Sequence, residues 1–360
     1  MGESAAGTSA TGEPGEALAP QAARFSRRRL IRLGALASVT GIAALGAGVE
    51  LAEHGVLPGK VVLDYVSGGC SVPQPAYAGV RPGRLVSGSF WSRFRNRRVG
   101  YVIAYPPPRG APSDHRAPNS QASPAGAPSR TAQLPGAELP LVLVLHGYGR
   151  NAEFAFSDLH LDLALAQAVE EHGAAPFVLA AADGGNGYWH PAPGDDPQGM
   201  LVHEFVPLCH RLGAGSPATA LGAYGWSMGG YGSLLLGEDY PHLLSAIVAA
   251  SPAIWTTYSQ ARGANPEAYS SATQFRAYDA VSHARALAGT PIRVDCGADD
   301  PFLPGVQALE RALPPGSEVV YGKGCHDNGF WRSRAPADMA FLAGHLASHL
   351  AGWPRTSPAI

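Results

Sequence analysis

The chain is nearly free of lysine. Lys60 and Lys323 are the only two, so arginine supplies 24 of the 26 basic residues, a bias that reads as coding composition. Acidic residues number 28, the net charge is −2, and no global field draws in nucleic acid or anionic lipid. Only 15% of residues are charged, which excludes a disordered polyelectrolyte and a coiled coil. Cysteine is scarce: Cys70, Cys209, Cys296 and Cys325 are too scattered for a zinc module and too few for a disulfide scaffold. His190, Asp195, Asp196 and His203 lack the tight spacing of a metal site on a helix, so no metal or other cofactor is expected. What is abundant is glycine (45) and proline (32), without the Gly-X-Y period of collagen. With 46% hydrophobic residues in 360, the chain is expected to form one large loop-rich globular domain plus extras.

The extras lie first at the N-terminus. Residues 1–25 carry no apolar period and read as a disordered lead. Ser26-Arg27-Arg28-Arg29-Leu30-Ile31-Arg32 then feeds Leu33 to Val49, 17 residues without a charge. Residues 26–49 resemble a twin-arginine export signal, which implies a protein carried across the cytoplasmic membrane and secreted or anchored at the outer face. A membrane anchor is the alternative, at the lower edge of spanning length. Residues 50–79 read as a linker and 80–353 as the folded body. Within it, 106–138 is a Pro/Ala/Ser/Gly-rich insert expected to be disordered, and 354–360 is a tail.

Ser89 to Tyr105 has β-type composition and reads as a hairpin, and six arginines between Arg81 and Arg98 are expected on its solvated face. Further strands are expected at Leu139–Leu145, Phe177–Ala182, Ala218–Tyr224, Ser245–Ala250, Pro291–Cys296 and Glu318–Tyr321. Helices are expected over Ser157–His172, Met200–Leu212, Met228–Leu236 and Pro336–Leu350. Alternating strand and helix implies an α/β fold, a mostly parallel sheet covered on both faces.

Gly225-Trp226-Ser227-Met228-Gly229 is a G-x-S-x-G pentapeptide. With 27 serines and 45 glycines, about 0.4 matches arise by chance, so context decides. Here the pentapeptide sits between a strand and a helix, the setting that raises a serine on a sharp turn. A serine hydroxyl needs a base, and the base needs an acid to hold it. Of the thirteen histidines, only His326 stands at a strand end after the acidic loop Asp295-Cys296-Gly297-Ala298-Asp299-Asp300. An oxyanion needs backbone N–H donors, and Met228, next after the serine, supplies one.

These residues resemble the esterase D-like family of α/β-hydrolases, which includes S-formylglutathione hydrolases, secreted feruloyl and acetyl esterases, and antigen 85 mycolyltransferases. The resemblance spans about residues 85–350. It rests on Gly225-Trp226-Ser227-Met228-Gly229-Gly230, Gly297-x-x-Asp300-Pro301-Phe302-Leu303 and the His326 loop. It implies the α/β-hydrolase fold, a triad of Ser227, Asp300 and His326, and a second oxyanion donor at Tyr148. His146, Gly147, Tyr188, Trp189 and Trp226 are the expected substrate contacts. Independently of the resemblance, Cys296 and Cys325 lie beside the acid and the histidine on strands expected to be neighbours, which makes them a candidate disulfide. The implied partner is a small-molecule or cell-envelope ester. The implied reaction is hydrolysis, with acyl transfer to a sugar hydroxyl as one rival and a non-catalytic surface binding protein as another.

Overall fold

Leu141–Leu145 (β3) is apolar at every position because both its faces are covered, and all five side chains are buried. In the computed structural model, which describes residues 70–107 and 136–347, alternate side chains of this strand feed two cores. Leu141, Leu143 and Leu145 enter one, Val142 and Val144 the other. Seven more strands flank it: β1 (Leu85–Ser92), β2 (Arg97–Ala104), β4 (Val178–Ala182), β5 (Leu221–Trp226), β6 (Ala246–Ala250), β7 (Ile292–Gly297) and β8 (Glu318–Gly322). Their order is β1-β2-β4-β3-β5-β6-β7-β8. β1 and β2 form the hairpin, β2 runs antiparallel to β4, and every pairing from β4 across to β8 is parallel. This is the α/β-hydrolase architecture.

The chain leaves β3 toward β4 and comes back to β5 on the opposite side of β3. Such a reversal opens a crevice at the carboxyl ends of the two strands, the usual ligand position in an α/β sheet. Short α1 (Phe154–Ser157) and α2 (Leu161–Glu170) follow β3. After β4, α3 (Pro197–Met200) passes through one π-turn, Leu201–Phe205, into α4 (Val206–Arg211). α5 (Met228–Asp239) follows β5 and packs into the first core. α6 (Tyr258–Ala264), α7 (Ala272–Ala277), α8 (Ala280–His283) and a 3-10 turn fill the interval between β6 and β7. α9 (Leu303–Ala312) follows β7, and α10 (Asn328–Leu346) covers the second core with Phe330, Trp331, Met339 and Leu342.

Several expectations need correction. The closing helix begins at Asn328 and not at Pro336, because the Asp327 side chain caps it by accepting from Phe330 N (2.9 Å), and Pro336 lies inside it. The three helices after β6 carry no long apolar period, and side chains of Thr257, Ser271 and Asp279 start them; α9, also not expected, repeats Leu303, Val306 and Leu309 at helical spacing over only ten residues. The hairpin arginines are not all solvated: Arg95 is buried and forked onto Asp195 at 2.6 and 2.9 Å, with Arg97 also on Asp195 at 3.0 Å. The linker end, Cys70 to Ala78, is tied to the body, since Cys70 is bonded to Cys325 and Cys296 is a free buried thiol. The expected Cys296–Cys325 bridge is therefore replaced by Cys70–Cys325. The expected lead, the expected export signal, the linker before Cys70, the insert between 108 and 135 and the tail lie outside the described residues. Among the described residues no helix is long and apolar enough to cross a membrane.

One buried carboxyl in α5 gives stability a pH dependence. Glu238 has neither side-chain oxygen hydrogen-bonded among the described residues. Burial, with the charges of Asp239 and Asp279, pushes its pKa from 4.5 up to about 9. Its contribution to stability is thus complete below 4.5 and is lost as pH rises toward 9, because the unfolded chain has already released the proton. Glu238→Gln, which cannot ionise, is expected to gain on the wild type by roughly 1 kcal/mol per pH unit between pH 5 and 8. Urea midpoints measured across that range check it; a pH-independent difference would contradict it.

Candidate active site

β5 ends at Trp226 and α5 starts at Met228, which leaves Ser227 alone to turn the chain. It does so at φ 56° and ψ −122°, a region that residues other than glycine rarely occupy. Backbone bonds hold it there: Ser227 N donates to Ala250 O (2.9 Å), and Ser227 O accepts from Tyr231 N (3.1 Å) and Ala253 N (3.0 Å). A Cβ on Gly225 would lie 2.0 Å from Gly229 O, and one on Gly229 would lie 1.9 Å from Leu145 O. The glycines of the pentapeptide are therefore steric requirements of the turn.

The loops after β7 and β8 run side by side, with Ala298 N donating to Gly322 O (2.7 Å) and Asp299 N to Gly324 O (3.0 Å). This juxtaposition places Asp300 Oδ2 2.9 Å from His326 Nδ1. The Asp300 side chain is fully buried, and its other oxygen accepts from Phe302 N (2.8 Å). On the far side of the ring, His326 Nε2 lies 2.8 Å from Ser227 Oγ. Phe302 at 4.9 Å and Trp331, edge-on at 5.1 Å, limit where the imidazole can go. Hydroxyl, imidazole and carboxylate thus form one hydrogen-bonded chain built from three separate loops at the same edge of the sheet.

Met228 is the first residue of α5, so its N–H has no intrahelical acceptor. Opposite it, the turn after β3 is fixed by Arg150 N donating to Gly147 O (3.2 Å) and Gly149 N donating to Asn186 Oδ1 (2.8 Å). Tyr148 stands between these two anchors, half exposed. Beneath the turn His146 is buried: Nε2 accepts from Gly184 N (2.8 Å), and Nδ1 lies 2.8 Å from Gly147 O. Burial pushes its pKa below 6.5, which keeps the ring neutral and suits Nδ1–H as donor to that carbonyl.

A cavity of about 970 Å³ opens over Ser227 and His326. Of the expected contacts, Gly147, Tyr148, Tyr188 and Trp226 line it. His146 and Trp189 do not. Trp189 is fully buried and donates from Nε1 to His146 O (3.0 Å), so both residues pin the turn from behind. Tyr188 and Trp189 have φ of 56° and 60°, and this twist sends the two rings in different directions. His190 is stacked between Tyr269 and Tyr278, Asp195 is held by arginines, Asp196 caps α3 and His203 stacks on Phe94; they do not converge.

The cavity also has walls the sequence did not disclose. Trp255 lies just past β6 and donates from Nε1 to Tyr188 Oη (3.1 Å); its place after a strand end is the signal that would have found it. Asn265, Trp331 and Arg332 line another side, and Cys70, Ser71, Val72 and Gln74 complete the rim.

Solved structures with the same arrangement of elements include a ferulic acid esterase, 16% identical with a TM-score of 0.57, covering 73% of this chain and 99% of its own. An S-formylglutathione hydrolase from Agrobacterium tumefaciens is 15% identical, with a TM-score of 0.56 and coverage of 76% and 99%. The enterobactin esterase from Shigella flexneri is 16% identical, with a TM-score of 0.52 and coverage of 76% and 63%. At such identities the likeness establishes the fold alone. No curated protein matches the chain. Residues 128–340, more than half of the sequence, match the Esterase family model, and the chain belongs to that family of hydrolases.

Proposed function

We propose that the protein hydrolyses carboxylic esters through a serine nucleophile, with Ser227, His326 and Asp300 as the triad and an acyl-enzyme as intermediate. The observation that carries this reading is the continuous chain from Ser227 Oγ to His326 Nε2 (2.8 Å) and from Nδ1 to Asp300 Oδ2 (2.9 Å). Nδ1–H donates to Asp300, which leaves Nε2 free to accept the serine proton as Oγ attacks the ester carbonyl. The carbonyl oxygen becomes an oxyanion, stabilised by the backbone N–H groups of Met228 and Tyr148. Imidazolium then returns the proton to the departing alkoxide. Water, deprotonated by the same nitrogen, releases the acid and restores the serine.

Export of the folded enzyme is part of the proposal. The Arg27-Arg28 pair supports it, as does the Cys70–Cys325 disulfide, a bond that persists in oxidising compartments.

Two measurements test these points. Ser227→Ala is expected to lose p-nitrophenyl acetate turnover by roughly 10⁴–10⁶-fold, and Asp300→Asn by about 10⁴-fold in kcat with KM little changed, whereas Asp299→Asn stays within a few-fold. Retained turnover in Ser227→Ala would place the nucleophile elsewhere, a wild type without turnover would leave a binding protein, and product analysis with sugar acceptors separates hydrolysis from acyl transfer. Arg27→Lys combined with Arg28→Lys keeps the charge and is expected to hold active enzyme inside the cell. Esterase activity appearing outside at the normal rate in that variant would refute twin-arginine export.

A further inference from the structure

Residues 71–77 run without regular secondary structure, and Ser71, Val72 and Gln74 among them line the cavity. Four attachments hold this segment down. Cys70 is bonded to Cys325 across a sequence separation of 255 residues. Gln74 Nε2 donates to Gly329 O (3.1 Å), and Gln74 Oε1 accepts from Arg332 Nε (3.0 Å). Farther along, Gln167 Nε2 donates to Ala76 O (3.2 Å).

The first three attachments converge on one place. Cys325 immediately precedes His326, and Gly329 and Arg332 lie in the opening turns of α10, which starts two residues after it. The loop has a joint on its other side: Gly324 stands at φ 142°, a conformation for which a side chain would be strained. A histidine that must sit within hydrogen-bonding reach of two partners is thus mounted between a glycine pivot and a capped helix. The disulfide and Gln74 brace both from outside. The aromatic neighbours Phe302 and Trp331 confine the ring, Asp299 N holds Gly324 O (3.0 Å) from the β7 loop, and Cys70, Ser71, Val72 and Gln74 of the strap line the cavity together with His326.

We propose that the strap from Cys70 to Gln74 is a positioning element of the active site: through Cys325 and the first turns of α10 it fixes the His326 imidazole between Ser227 and Asp300. This rests on the triad reading given above. Cys70, Cys325 and Gln74 are positioning residues, and none exchanges a proton with substrate. A displacement of the order of 1 Å in a catalytic group costs up to about 10²-fold in rate, so loss of the brace appears in kcat more than in binding.

The test uses the full chain. Cys70→Ala is expected to lower kcat for p-nitrophenyl acetate by roughly 10-fold to 10²-fold with little change in KM. It is also expected to move the pH dependence of kcat/KM, which a strap serving only stability would leave in place. Gln74→Ala, with the disulfide intact, is expected to shift the same two quantities in the same direction by a smaller factor. Gln74→Glu, which keeps an acceptor for Arg332, is expected to recover part of the rate. Folding is checked by near-ultraviolet circular dichroism, and should Cys70→Ala fail to fold, the Gln74 pair decides. Folded variants whose kcat and pH profile match the wild type, even with a lowered melting temperature, would overturn the positioning role and leave the hydrolase reading standing. A wild type that neither turns over esters nor reacts with a fluorophosphonate would overturn the triad reading, and this inference with it.

Discussion

The site depends on holding one residue in a conformation it would not choose. A serine at positive φ costs on the order of 1–3 kcal/mol, and the structure sustains it by enclosing the turn on every side. β6 accepts its N–H, the first turn of α5 and the loop after β6 take its carbonyl, and two glycines let β3 and α5 approach closer than any side chain would allow. The reward is geometric: Oγ stands above the carboxyl edge of the sheet, at the strand reversal, where a substrate and a base can both reach it.

Asp300 and His326 are positioned by a second set of constraints on the neighbouring strands. Arg293 on β7 binds Asp295 (2.8 Å), Asp338 of α10 (3.1 Å) and Glu318 of β8 (3.0 Å), and Arg334 of α10 reaches Asp295 at 2.6 Å. Asp295 and Asp338 are fully buried, and burial together with the Asp295 charge pushes the Asp338 carboxyl well above the usual range. Buried carboxylates need such partners, since removing one leaves an uncompensated group. The cluster therefore locks the strand that leads to Asp300, the strand that leads to His326 and the helix that follows His326 into one unit. Cys70 is bonded to Cys325, beside the same helix.

The parts legible in the sequence were those with a strong local signature. β3 and β4 are uninterrupted apolar runs, and the pentapeptide at Ser227 needs its glycines for steric reasons that hold wherever the turn occurs. His326 is singled out by elimination, because only it stands at a strand end after the acidic loop, and the structure sets it between Ser227 and Asp300. The rest was hidden for identifiable reasons. α7 buries none of its residues, so no apolar period marks it. The Cys70–Cys325 bond joins positions 255 residues apart through a segment of irregular backbone. Nearness to a motif also misled: His146 and Trp189 flank the substrate loops in sequence, yet their side chains point into the core and hold those loops from behind.

In the proposed mechanism the attacking atom is Ser227 Oγ. Peptide mapping after reaction with a fluorophosphonate tests it most directly, because the reagent is captured only by a serine that is already activated. One adduct per chain is expected, on the peptide carrying Ser227, and it should disappear when the enzyme is first saturated with a slowly hydrolysed ester. An adduct on another residue, or an unlabelled protein that still cleaves esters, would contradict it.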